Sequence, residues 1–184
     1  MTPRLKKLYK DEILPSLIQK LAIKNVMQAP RLEKIVLNMG LGLDASDGKV
    51  LKSIQSDLGN LTGQLPVITK SKKAVANFKT RKNIPLGLKV TLRKNNMYYF
   101  LDRLINMALP RIKDFRGLNP DSFDQEANYS FGIKEHVIFP EVNFDKIEKM
   151  RGLDITVVTS TRNKEASRAL LDSFQFPFYK KGSN

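Results

Sequence analysis

The sequence predicts an α+β fold, a mixed and mainly antiparallel sheet packed against helices on one face, with a long basic loop projecting from it. Three observations carry this. Helical and strand periodicities follow one another without segregating and without strict alternation, which suits antiparallel strands covered by helices. No internal repeat or low-complexity linker interrupts them, so residues 1–184 read as a single domain. The stretch "TKSKKAVANFKTRKNIPLG", residues 69–87, shows neither periodicity, yet it carries six cations and no acid between Lys70 and Lys82.

Taken in order, Leu5, Leu8, Ile13, Leu14, Leu17, Ile18 and Leu21 share one face of a helix over 4–22, with Pro15 as a kink. "RLEKIVLNMG" reads as a strand, stopped where Gly40 and Gly42 permit a tight turn with close backbone approach. Ser46 is placed to cap a helix that carries Val50, Leu51, Ile54, Leu58 and Leu61 on one side. "QLPVITK" is a short strand leading into the basic loop. "LGLKVTLRK" alternates most cleanly: Leu86, Leu88, Val90 and Leu92 face a core, and Gly87, Lys89, Thr91 and Arg93 face away.

A helix over 95–112 follows, with Leu101, Leu104, Ile105, Ala108, Leu109 and Ile112 inward. The irregular "KDFRGLNPDSFDQEANYS" leads to a strand over 129–139. "LDITVVTS" is rich in β-branched residues and reads as a strand. "TRNKEASRALLDSF" reads as a helix capped by Thr161 or Asn163, and 179–184 as a flexible tail.

Charge narrows the function. Hydrophobic residues make up 41% of the chain, enough to fill a core, so wholesale disorder is excluded. The net charge is +14, and +9 of it falls on residues 58–101, which hold nine basic side chains and no acid. Such a footprint points to a polyanion. A membrane surface fits poorly, because the loop has no long apolar face, and no apolar run approaches the roughly 20 residues of a span. Asp11 and Glu12 near the N-terminus argue against a leader, and we expect an intracellular protein.

Catalytic constellations are missing. With no cysteine there is no disulfide, thiolate metal site or thiol nucleophile. His136 is the single histidine; a triad or zinc site would lack its other members, so a structural role is expected, with no metal and no cofactor. "GLGLDA" at 40–45 matches a permissive dinucleotide fingerprint. That motif wants an acid at the end of the second strand, whereas "LPVITK" ends in Lys70 and Asp57 falls inside the helix. The chain is therefore not expected to be an enzyme, and a nucleotide-dependent enzyme is the lesser reading. Lysine and arginine neutralise phosphates and release counterions, so nucleic acid is the expected partner. Phe78 either stacks on an exposed base or ribose, or anchors the loop to the body. Composition does not separate DNA from RNA.

The sequence also resembles the universal large-subunit ribosomal protein five family, in its bacterial and organellar branch. The likeness runs in one order through "YKDEI", "NVMQAPRLEKIVLNMGLG", "LTGQLPVITKSKKAVANFKTRKNIPLGLKVTLRKNNMY", "FLDRLINMALPRIKDFRGL", "NYSFGIKEHVIFPE", "DKIEKMRGLDITVVTS" and "ALLDSFQFPF". It implies a structural constituent of the large ribosomal subunit. Such a protein docks 5S rRNA in the central protuberance, touches 23S rRNA and neighbouring large-subunit proteins, and extends its basic loop to P-site tRNA. A bridge to small-subunit ribosomal protein thirteen is implied as well. The location implied is the ribosome of the bacterial cytoplasm, or of a mitochondrial matrix or other organelle; a free RNA chaperone or regulator is the alternative.

Carried onto this sequence, the tRNA-binding loop uses Lys72, Lys73, Asn77, Phe78, Lys79 and Arg81. Strand parity, more than the family, selects Lys34, Asn38, Lys89, Thr91 and Arg93 for rRNA. The bridge falls on "FPEVNFDKIEK", with Glu141, Asp145 and Glu148 facing a basic partner. One departure stands out. Where the family usually has "SFDGRGNY" this chain has "SFDQEANY", so Gln125, Glu126 and Ala127 replace two glycines and an arginine. The turn is restricted and a charge is reversed.

Overall fold

A computed structural model describes residues 2–142 and 149–179. Strands β1 (Leu32–Gly40), β2 (Val67–Lys70), β3 (Pro85–Leu92), β4 (Tyr129–Ile133) and β5 (Leu153–Thr159) form one antiparallel sheet in the order β2-β3-β1-β5-β4. With its helices this makes the expected α+β fold. The chain divides into two compact units: Met1–Ile35, Leu92–Phe131 and Thr156–Asn184 form one, and Val36–Thr91 and Gly132–Ile155 the other.

In the first unit, helix α1 runs through Arg4–Leu8, a π turn at Tyr9–Ile13, and Leu14–Lys20. Pro15 has no N–H, and its ring crowds the carbonyl four residues back. The wider π turn accommodates it, with Leu14 N–H donating to Tyr9 O. Arg4 pairs with Asp102 at 2.7 Å, on helix α2 (Lys94–Arg103). That helix continues as a π turn, Leu104–Ala108, and ends in a 3-10 turn, Leu109–Arg111, around Pro110. Leu101, Leu104, Ala108 and Leu109 are buried as expected. Helix α3 (Lys164–Ser173) is capped by Asn163, whose Oδ1 accepts the Glu165 N–H at 2.9 Å. Thr161 instead accepts the Asn163 N–H at 3.1 Å.

The irregular stretch before β4 is held by aromatic rings. Tyr129 is fully buried, 4.9 Å from Phe123 and 5.3 Å edge-on from Phe178 between ring centroids. Tyr179 is tied down as well: its N–H donates to Leu118 O and its hydroxyl to Asn119 Oδ1, both at 3.1 Å. The tail expected to be flexible from 179 thus has a fixed first residue, and 180–184 lie outside the described residues.

In the second unit, the helix Gly48–Thr62 buries Leu51, Ile54, Leu58 and Leu61, and Leu37, Met39, Leu88 and Val90 of the same unit are buried as well. The cap of that helix is Asp47, which accepts the Lys49 N–H at 2.9 Å. Ser46, the expected cap, ends the preceding 3-10 turn, Gly42–Ser46. Further on, β4 stops at Ile133, short of the expected 139. Lys134 and Glu135 are both exposed, which breaks the alternation, and His136–Ile138 form a 3-10 turn.

Candidate nucleic-acid interface

The basic segment is a structured hairpin extension, where the sequence suggested an irregular loop. At its root β2 and β3 pair with Val67 opposite Lys89 and Thr69 opposite Gly87. Gly87 is needed here, because a Cβ would come 2.5 Å from Met39 O. The close approach expected at Gly40 therefore falls at Gly87, while Gly42, with φ +58°, makes the turn. Beyond the strands, Ser71 N–H donates to Ile84 O at 2.9 Å and Asn83 N–H donates to Ser71 O at 3.0 Å. The Ser71 hydroxyl accepts the Ile84 N–H at 3.2 Å and donates to Arg81 O. Further out, Val75 and Thr80 exchange both backbone bonds, at 3.1 and 3.2 Å. A 3-10 turn at Ala76–Phe78 and a left-handed Lys79, φ +51°, close the tip. The Val75–Thr80 bridge is isolated, so no strand periodicity marks the hairpin in the sequence.

Lys72, Lys73, Asn77, Phe78, Lys79 and Arg81 are all exposed on this hairpin. Phe78 is 72% exposed, so the reading in which it anchors the hairpin to the body is set aside. On the neighbouring strands β1 and β3, residues 35, 37 and 39 and residues 88, 90 and 92 are buried. Asn38 and Lys89 accordingly face out and are exposed, with Thr91 half-buried beside them in sequence parity. Lys34 and Arg93 belong to the first unit. Lys34 is half-buried on β1, and Arg93 is exposed just past β3, where φ −137° keeps the chain extended. Sequence reasoning missed Val67, which is 67% exposed and shares its face with Lys89. The alternation in "PVITK" could have marked it.

Of the acidic trio, Glu141 is half-buried in a turn, and Asp145 and Glu148 lie outside the described residues. An ion-pair cluster in the second unit has no counterpart among the sequence expectations. Asp44, in the 42–46 turn, is 2.8 Å from Arg151 and 3.1 Å from Lys149. Hydrogen bonds from Lys149 and Arg151 hold its carboxyl below the usual carboxylate range.

Among the described residues no site for other chemistry emerges. His136 is buried; its N–H donates to Arg151 O at 3.0 Å, and Arg151 N–H approaches its Nδ1 at 3.3 Å. Among the described residues no group of side chains could hold a metal ion. The "GLGLDA" turn ends on a helix already capped by Asp47, and β2 after that helix is an antiparallel edge strand with no ribose-binding acid. Among the described residues no helix is long and apolar enough to cross a membrane.

The described residues thus present a cationic hairpin and, on β1 and β3, an outward face with Asn38 and Lys89 exposed. A family model described as "Ribosomal protein L5" matches residues 25–81, and one described as "ribosomal L5P family C-terminus" matches 85–178. The large ribosomal subunit protein uL5 of Pelagibacter ubique is 64% identical over 184 residues, covering all of both chains. That of Dichelobacter nodosus is 54% identical over 95% of this chain and 98% of its own. That of Clostridium tetani is 52% identical over 97% and 99%. The chain belongs to the ribosomal protein L5 family, whose members are structural, non-enzymatic components of the ribosome.

Proposed function

We propose that this chain is a constituent of the large ribosomal subunit that holds 5S rRNA in the central protuberance with the outward face of its sheet. Lys34, Asn38, Lys89, Thr91 and Arg93 are the residues assigned to that contact, and 23S rRNA and neighbouring large-subunit proteins complete the setting. The hairpin, through Lys72, Lys73, Asn77, Phe78, Lys79 and Arg81, reaches P-site tRNA. The segment with Glu141, Asp145 and Glu148 meets small-subunit ribosomal protein thirteen. The relatives named above are bacterial, which favours a ribosome in the bacterial cytoplasm.

One observation carries the RNA reading. Lys72, Lys73, Lys79 and Arg81 are exposed, and among the described residues none of them forms an ion pair. A loop needing only solubility mixes its signs. This one keeps its cations uncompensated, which costs self-repulsion unless an anion arrives.

The test is filter binding of the purified protein to 5S rRNA and to a size-matched unrelated RNA across a salt series. Preference for 5S rRNA is expected, with a log–log salt slope of about −3 to −6 for some four to seven neutralised phosphates. Equal affinity for both RNAs at every salt concentration would leave a cation without specificity.

A further inference from the structure

We propose that the flank of the basic hairpin seats one unstacked RNA nucleotide. Its base would lie in an apolar groove between Leu43 and Phe78, and its phosphate on Lys72 or Lys73. This rests on the reading of the hairpin as RNA-binding, and adds to it a site for a base where charge alone would see only backbone.

The groove has a volume of about 670 Å³, and its walls are apolar. Leu43 stands on one side, from the turn after β1; Val75, Phe78 and Leu86 come from the hairpin and its root. Leu43 is 51% exposed, Val75 40% and Phe78 72%. A single exposed apolar side chain needs no explanation. Three around one concavity, at a place where turns are ordinarily polar, mark a surface that something apolar covers.

Its rim identifies the occupant. Lys72 and Lys73 line the same groove, within the run of six cations and no acid from Lys70 to Lys82. A second copy of the chain would bring the same cations face to face, and like charges set against each other in an interface repel. An apolar peptide would leave both lysines unused. A nucleotide supplies a flat apolar ring and an anion on one short tether, and aromatic side chains stack on bases of any identity. A base paired in a duplex keeps its faces covered, so the groove suits a nucleotide from a loop, bulge or end.

The wall is fixed before any ligand arrives. Asp44, next to Leu43, is held by Arg151 at 2.8 Å, and Phe78 ends the 3-10 turn that the Val75–Thr80 bridge closes. A site whose two sides are held by separate contacts loses little freedom on binding.

The experiment uses the full chain and two 5′-labelled RNA tetranucleotides, one bearing bases and one abasic at every position, read by fluorescence anisotropy. Phe78→Ala and Leu43→Asn leave every charge in place. Each should weaken the base-bearing RNA about tenfold, the scale of one lost stack, and leave the abasic RNA unchanged. Phe78→Tyr, which keeps the ring, should bind like the unaltered chain, and so separates stacking from misfolding. Equal affinity of the two tetranucleotides, with a normal salt slope, would overturn the base site and leave the charge reading standing. Salt-independent binding of both would sink the two together. A change in sedimentation of the free protein in these variants, with RNA affinity intact, would make the groove a self-association surface and also overturn the proposal.

Discussion

Ser71 holds Ile84 by both of that residue's backbone polar groups: the Ser71 N–H donates to Ile84 O at 2.9 Å, and its hydroxyl accepts the Ile84 N–H at 3.2 Å. A buried serine thereby fixes where the hairpin leaves the sheet, and with it the direction in which Lys72 and Lys73 point. Ser71→Ala keeps the backbone bond and removes both hydroxyl bonds, leaving the Ile84 N–H with only a 3.5 Å contact to Arg81 O. The loss should cost about 1 kcal/mol, confined to the hairpin root. Amide exchange at Ile84 should then speed up about fivefold while the global melting temperature changes little. An unaltered exchange rate would mean the hydroxyl bonds contribute nothing there.

Ala127 occupies a left-handed backbone position, φ +59°, and is fully buried, with Thr159 Oγ1 donating to its carbonyl at 3.2 Å. The family pattern has glycine here. Left-handed geometry costs an L-residue about 1–2 kcal/mol, and a buried methyl returns about 0.8 kcal/mol. Ala127→Gly should therefore shift stability by no more than about 1 kcal/mol. Ala127→Val adds β-branching to the same backbone and should cost about 2 kcal/mol or more. Denaturant melts of the two variants check this; similar melts would place the constraint somewhere other than the backbone. The reversed charge at Glu126 is absorbed differently, by an exposed ion pair with Arg162 at 2.8 Å, worth at most about 1 kcal/mol.

The strands were legible because burial on one face writes itself as alternation: Leu88, Val90 and Leu92 on β3 read directly from the sequence and are buried. The face carrying Asn38 and Lys89 followed from the same parity. Where energy comes from contacts remote in sequence, the chain is silent. Asp44 meets Arg151 across 107 positions, and neither neighbourhood hints at the other. Caps went astray by one residue, because Ser46 and Asp47 both fit the local rule and only the 3-10 turn decides between them. The hairpin read as irregular because its order resides in the Ser71 hydroxyl and one isolated bridge, not in side-chain periodicity.

If the outward face of β3 binds 5S rRNA, replacing Lys89 and Arg93 with alanine should weaken that complex without disturbing the fold, since both are exposed. Each lost charged contact is worth on the order of 1–3 kcal/mol. Leu88→Asp is the control, because a carboxylate at a fully buried position unfolds its surroundings. Circular dichroism should match the unaltered chain for the double variant and collapse for the control. Full 5S affinity in the double variant would remove this face from the interface.

Asp44 gives the protein an acid-sensitive joint. Its ordinary carboxyl value is 3.8, and the folded state lowers it through hydrogen bonds from Lys149 and Arg151. A depressed folded value means that the stabilisation is complete above about pH 4 and disappears as pH falls through the folded value. The unaltered chain should be more stable than Asp44→Asn near neutrality, and the gap should close in acid while Lys149 and Arg151 remain charged. Urea melts at a series of pH values measure it. A gap that stays constant into strong acid would show that the carboxylate's charge is not what holds the turn.

The hairpin itself allows a test of tRNA contact that separates it from assembly. Ser71, Val75 and Thr80 hold the hairpin's backbone, and none of those bonds uses a charged side chain. Replacing Lys72, Lys73, Lys79 and Arg81 with glutamine should therefore leave its shape intact and remove four phosphate partners. Lys79 keeps its left-handed strain in the variant, since glutamine meets the same backbone restriction. Ribosomes carrying the variant should contain normal amounts of 5S rRNA, because the sheet face is untouched. Their P-site tRNA should dissociate faster, most clearly at low salt, because raised salt also weakens the phosphate contacts of the unaltered chain and narrows the gap. With four phosphates lost, the salt slope of tRNA affinity should become shallower by about 3. The measurement is tRNA release from matched unaltered and variant ribosomes. Identical release at every salt concentration, or particles depleted of 5S rRNA, would assign the hairpin's charge to assembly in place of tRNA.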